Sequence, residues 1–224
     1  MISVAIDGPA GAGKSTLSRE AAEKLGYIYV DTGALYRTVG LKFSRCGADR
    51  ELNCDIDGIL SDTNVDIRFV EGAQRVFLDG EDVSELIRTP EASMMASAVS
   101  ARPEVRAFLL EMQRKLAREN NVLMDGRDIG TVVLPNATVK IYLTATAEER
   151  ANRRYRELCE KGMKVEYKDV YDDMVKRDYD DMHREIAPLK QADDAAVADT
   201  TGCSFDESLE LILKLVKEGI EAKR

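Results

Sequence analysis

Eight consecutive residues, Gly8-Pro9-Ala10-Gly11-Ala12-Gly13-Lys14-Ser15, carry the clearest chemistry in this 224-residue chain. They fit G-x-x-x-x-G-K-[ST], a loop that wraps its backbone N–H groups around a polyphosphate. Lys14 would reach the β- and γ-oxygens, and the Ser15 hydroxyl would bind Mg²⁺. Such a loop works only between a strand and a helix. The apolar run Ile2-Ser3-Val4-Ala5-Ile6 precedes it, and Ser15 to Leu25 follows with Leu17, Ala21 and Leu25 at helical spacing. The dipole of that helix also favours an anion at its N-terminus.

Two further clusters sit just after apolar runs. Asp31-Thr32-Gly33-Ala34-Leu35-Tyr36-Arg37 follows Tyr27-Ile28-Tyr29-Val30, and Asp125-Gly126-Arg127-Asp128-Ile129-Gly130-Thr131 follows Val122-Leu123-Met124. Ligands of open α/β sheets bind beyond the carboxyl ends of strands. In the first cluster a hydroxyl, a ring and an arginine could hold a phosphorylated second substrate; a helix cap with Tyr36 as core is the alternative. In the second, an acid could support a Mg²⁺ shell, or the acid–arginine set could brace a turn. Arg150, Arg153 and Arg154 share a helix face, which is either solvated or part of a lid closing over a transferring phosphoryl group. Arg177, Asp178, Asp181 and Arg184 repeat the theme.

The elements that must position these groups alternate as in an α/β domain. A helix is expected from about Ala34 to Cys46, another after Thr89-Pro90, and another after Pro103 with the stripe Val105, Phe108, Leu109, Met112 and Leu116. Val139 to Leu143 and, more weakly, Ala195 to Ala198 read as further strands. Thr146 with Glu149, and Ser204 with Glu207, form capping-box patterns. One segment breaks the rhythm. Val65 to Phe69 and Gln74 to Leu78 alternate apolar and polar, with turns expected at Glu71-Gly72 and Asp79-Gly80. This predicts a small antiparallel sheet, roughly 63–83, inserted into a parallel domain.

Composition bounds the rest. The chain is 44% hydrophobic and 33% charged, with a net charge of −9, which argues against broad binding to nucleic acid or anionic membrane. Arginines segregated into a few motifs of an acidic chain point instead to a local anionic substrate. Four cysteines without a C-x-x-C pair suggest reduced thiols in a cytoplasmic protein, and a single histidine, His183, excludes a histidine-based metal cluster. No secretory signal and no apolar run near the ~18 residues of a membrane span are visible. No N-K-x-D motif of a GTPase-type switch is present; another small-molecule kinase and a slow nucleotide switch are the competing readings.

Together the motifs D-G-P-x-G-A-G-K (7–14), D-T-G-A-x-Y-R (31–37), D-G-R-D-x-G-T-V-V (125–133), E-E-R-A-x-R-R (148–154) and R-D-x-x-D-x-x-R-x-x-A-P-L (177–189) resemble the bacterial cytidylate kinases, which phosphorylate CMP and dCMP. The resemblance runs almost end to end. It implies a three-layer α/β/α P-loop fold with a five-stranded parallel core, a CMP-binding insertion at about 63–96 and a helical lid at about 147–168, all within one domain, 1–224. It implies ATP and Mg²⁺ as cofactors and small-molecule nucleotides as partners, and nothing in the sequence requires more than a monomer. By motif, residues 8–14, Ser15 and Thr16 would hold the ATP phosphates, with Mg²⁺ on Ser15 and Arg153 contributing from the lid. Ser97, Arg106 and Asp128 would contact cytosine. Arg37, Arg127 and Arg184 would grip the CMP phosphate beside Thr32 and Tyr36, and Asp181 would contact the sugar. Lys14, Arg127, Asp128 and Arg177 would form the catalytic set, with Arg177 reaching the transferring group.

Overall fold

The computed structural model describes residues 1–70 and 73–223. Five strands form a parallel sheet: β1 (Ser3–Asp7), β2 (Ile28–Asp31), β6 (Val122–Gly126), β7 (Val139–Thr144) and β8 (Ala196–Asp199), in the order β2-β6-β1-β7-β8. Apolar runs such as Val4-Ala5-Ile6 and Val122-Leu123-Met124 are fully buried, as strands covered on both faces must be. On one face Leu17, Ala21 and Ala22 of α1 (Lys14–Leu25) and Leu209, Ile212 and Val216 of α8 (Phe205–Glu221) pack against Ile6, Leu123, Ile141 and Leu143. On the other, Ala117, Leu110 and Leu116 of α5 (Pro103–Glu119) cover Ala5, Val30 and Met124.

Register brings the motifs together. Asp31 of β2 and Ile6 of β1 both lie opposite Asp125 of β6, and Asp7 lies opposite Gly126. The three loops beyond these strands therefore share one edge of the sheet, on either side of the point where the chain skips a strand position.

The inserted sheet pairs β3 (Val65–Val70) with β4 (Ala73–Leu78) and adds the short β5 (Glu81–Asp82). The turn expected at Glu71-Gly72 lies outside the described residues. At Asp79-Gly80 both residues have positive φ (52° and 88°), the signature of a tight hairpin turn. The insert builds its own core with α2 (Thr32–Arg45), α3 (Ile56–Ser61), α4 (Pro90–Ser100) and α5, around Phe43, Leu78, Val83 and Val99. The short helix α3, capped by Asp55, has no counterpart in the sequence reading, and α2 begins two residues earlier than expected because Asp31 supplies its cap.

A helical hairpin, α6 (Ala147–Glu160) and α7 (Tyr167–His183), completes the chain's second half. The Ser204/Glu207 capping box forms in full. At Thr146 only half of it forms: the hydroxyl accepts from the Glu149 amide, but the Glu149 carboxylate pairs with Arg153, four residues on. An i,i+4 ion pair competes with the return bond. Among the described residues no helix is long and apolar enough to cross a membrane.

Candidate active site

The loop between β1 and α1 is fixed from below. Gly13, at φ +85°, caps α1. Gly8 runs directly over the backbone of β7, where a Cβ would collide with the Leu143 carbonyl oxygen at a φ of +153°. Gly8→Ala is therefore expected to lower the melting temperature by several degrees or prevent soluble expression, because backbone on a central strand cannot yield. An unchanged Tm would refute this packing. Lys14 turns its Nζ inward, donating to the carbonyls of Gly8 and Pro9 at 2.7 Å each. Burial, reinforced by Arg127 and by Arg177 against Asp125 and Asp181, holds the Lys14 amine well below the usual lysine range.

The oxygen chemistry beside the loop suits a hard cation. Ser15 Oγ donates to Asp125 Oδ2 at 3.0 Å, and Tyr29 donates to Asp125 Oδ1 at 3.0 Å. Burial, with Asp31 nearby, raises the Asp125 carboxyl to about 6. Among the described residues no three His, Cys, Asp or Glu side chains cluster as a metal cage. A Mg²⁺ held by Ser15 and backed by Asp125 would thus take its other ligands from phosphate and water, as this ion commonly does.

A cleft of about 1560 Å³ joins this loop to the other motifs. It is lined by Ala10 to Thr16, Thr32, Tyr36, Arg37, Ser97, Arg106, Arg127, Asp128, Arg177, Asp181 and Arg184. Gly8, Pro9 and Arg153 lie outside the lining. Arg153 bonds Glu149 and both oxygens of Thr200 on the flank of the loop.

Of the cleft arginines just named, Arg37, Arg106, Arg127 and Arg184 each meet an acid, whereas Arg177 does not. Arg37 pairs with Asp31 at 2.8 Å, Arg127 with Asp181 at 2.8 Å, and Arg106 with Asp128. Arg184 donates to the second oxygen of Asp128 at 3.3 Å and to the Ala187 carbonyl at 2.6 Å. It stands beside Arg106 and Asp128, and the role that the resemblance implies for it is with Arg37 and Arg127 on the acceptor phosphate. Arg106 also lies 5.6 Å over the Tyr36 ring. Burial raises the Asp128 carboxyl against the pull of Arg106 and Arg184. Thr32 donates to the Asp125 carbonyl at 2.7 Å. Arg177 has no carboxylate within ion-pair distance among the described residues; burial and Arg127 push its guanidinium down to about 10, and its Nε is buried without a partner, as is that of Arg37.

The three-arginine face expected on α6 divides. Arg150 is buried, donating to Ala145 and Ala10 carbonyls and to Asp178 at 2.5 Å. Asp178 in turn accepts from the Ala10 amide at 3.1 Å. Arg150 thus braces α6, α7 and the loop against one another, while its neighbour Arg154 lines the cleft. Helical spacing alone does not tell which side of a shared face is covered. Asp178 was legible only as one member of a charged cluster, while Tyr29, Asp7 (which accepts from the amides of Ile129 and Gly130 at 2.7 Å each) and Gln74 escaped the sequence reading. Of these three only Asp7, embedded in a motif, carried any signal.

The sequence profile described as cytidylate kinase matches residues 4–218. The chain belongs to that family. It is a nucleoside monophosphate kinase. It is 56% identical over 214 residues to the cytidylate kinase of Caldicellulosiruptor bescii, covering 96% of this chain and 95% of the relative. The cytidylate kinase of Geobacter sulfurreducens is 47% identical over 215 residues, with 96% and 92% covered. Among solved structures, an uncharacterized protein from Eubacterium ventriosum superposes with a TM-score of 0.54 at 11% identity, covering 97% of this chain and 99% of that one. A gluconokinase from Sinorhizobium meliloti superposes at 0.50 and 13%, covering 99% and 94%. At these identities the likeness is one of fold alone.

Proposed function

We propose that this chain transfers the γ-phosphoryl group of ATP to the phosphate of CMP or dCMP, forming ADP and CDP or dCDP. One observation carries the reading. Lys14, Arg127 and Arg177 lie near enough for their charges to oppose one another inside one buried cleft. Such crowding costs free energy unless a polyanion enters among them. The Arg177 and Arg37 Nε donors, buried without partners, supply further contacts for phosphate oxygens.

The acceptor needs no general base. A phosphate monoester has a second pKa near 6 and is largely dianionic at neutral pH. The difficulty is to bring two polyanions into line. In our reading the loop amides and Lys14 hold the β- and γ-phosphates, Arg37, Arg127 and Arg184 hold the acceptor phosphate, and Arg177 spans the groups exchanging the phosphoryl. Mg²⁺ on Ser15, backed by Asp125, would neutralise phosphate charge when bound. Arg106, Ser97 and Asp128 would read the base, with Tyr36 beside it, and Asp181 would meet the sugar while holding Arg127. The segment at about 147–168 would act as the lid, excluding water that would otherwise hydrolyse ATP, and the insertion at about 63–96 would wall the acceptor site.

The test is ADP release from Mg·ATP with CMP, dCMP, UMP, dTMP or AMP, each beside a no-acceptor control. Turnover centred on CMP and dCMP, with UMP slower by roughly ten- to a hundredfold, is the expected result. Preference for another monophosphate would overturn the cytosine assignment, and release without acceptor would overturn phosphoryl transfer.

A further inference from the structure

Gln74 lies on β4 of the inserted sheet, in a hairpin with no motif of its own. Its side chain nevertheless reaches the outermost strand of the main sheet. β2 pairs with β6 on one side and, among the described residues, has no strand on the other. There the Gln74 amide takes the place of a neighbouring strand: Oε1 accepts from the Asp31 backbone N–H at 2.8 Å, and Nε2 donates to the Asp31 carbonyl at 3.3 Å. A primary amide carries the same donor and acceptor as a peptide group, so it can make this two-point contact.

Asp31 is where the contact matters. Its Oδ1 accepts from the Ala34 amide at 2.9 Å and so caps α2, and its Oδ2 holds Arg37 Nη2 at 2.8 Å. Fixing the Asp31 backbone fixes the start of α2 and the carboxylate that orients Arg37. The Arg37 Nε donor is buried and unpartnered. Gln74, Asp31 and Arg37 all line the cleft. The chain of contacts therefore runs from inserted sheet to amide, to carboxylate, to guanidinium, and each link is short and directional.

We infer that Gln74 is a positioning residue for the acceptor phosphate: its amide docks the inserted sheet on Asp31 and thereby sets Arg37. The inference rests on the reading of Arg37 as a phosphate ligand. It separates affinity for the phosphate from affinity for the base, because Asp128, Arg106 and Ser97 make no hydrogen bond to Gln74 or Asp31.

Gln74→Met keeps the length of the side chain and removes both hydrogen bonds. It should raise the Kd and KM for CMP about three- to tenfold, leave the affinity for cytidine, which has no phosphate, within about twofold, and leave kcat and the KM for Mg·ATP close to the parent values. In an Arg37→Met background the same substitution should add little, since the two residues act through one contact. A lower melting temperature with an unchanged CMP affinity would overturn the inference by making Gln74 a fold contact only. Equal weakening of CMP and cytidine, or full additivity with Arg37→Met, would overturn it as well. A parent protein that fails to bind CMP in calorimetry would instead overturn the acceptor assignment on which the inference stands, so the two failures are told apart before any variant is made.

Discussion

Lys14→Met should lower kcat by at least about 10²- to 10³-fold, the scale of removing one charged donor from a developing anion, while leaving the folded protein close to the parent in stability. The two effects have one origin. Lys14 is 6% exposed, and Arg127 and Arg177 oppose its charge. Its pKa is lowered in the fold, so the folded state binds its proton less readily than the unfolded chain. The charged amine then penalises folding below the lowered value, and the penalty fades as pH rises from there toward the ordinary lysine range. A buried cation costs several kcal/mol, of the order of what is lost on burying one without full compensation. Against this stand the two carbonyls of Gly8 and Pro9, which lose a donor at about 1–3 kcal/mol each. The two terms are of similar size, so the melting temperature should hold near that of the parent. Steady-state kinetics with thermal denaturation of the same preparation makes the check. A collapse of Tm would show that the lysine holds the loop together, and retained kcat would remove Lys14 from the chemistry.

Asp128→Asn should narrow the preference for CMP over UMP by roughly ten- to a hundredfold and destabilise the fold at the same time. Asp128 is buried, with one oxygen on Arg106 and the other on Arg184. Each carboxylate oxygen has a second lone pair, so it can still accept from the cytosine amino group. UMP presents an acceptor at that position, and two acceptors face each other unpaired. The asparagine amide offers a donor there and removes the conflict. It also removes the only negative charge paired with Arg106 among the described residues. Breaking a buried pair in this way costs about 3–5 kcal/mol, so the variant should melt well below the parent. Initial rates with CMP and UMP, measured below that melting temperature, test the base contact. An unchanged CMP/UMP ratio would remove Asp128 from base reading whatever the stability shows.

Both expectations depend on groups that were legible before any fold was known. The glycine–lysine loop, the two acid-rich loops after strands and the arginine clusters announce themselves because phosphate chemistry restricts which residue types serve it, and short spacing within a loop survives in the linear order. The parallel core was legible for a similar reason: strands covered on both faces must be continuously apolar, and Val4 to Ile6 and Val122 to Met124 are. The helix start at Pro90, the capping box at Ser204 and the hairpin turn at Asp79-Gly80 follow from local backbone demands.

What only the tertiary structure decided are the pairings across long sequence separations. Nothing in the order of residues says that Arg150 is spent on Asp178 and Ala10 while Arg154 faces the cleft, since both lie on one helix and differ only in what packs against them. Nothing places Arg184 beside Asp128, or Gln74 on the backbone of Asp31. Sequence by itself determined the kinds of group present and the local elements that carry them, because backbone sterics and side-chain chemistry act over a few residues. Which acid neutralises which arginine was left to the fold, because charge and hydrogen bonding act through space, and only the packed sheet, insert and helical hairpin set those distances.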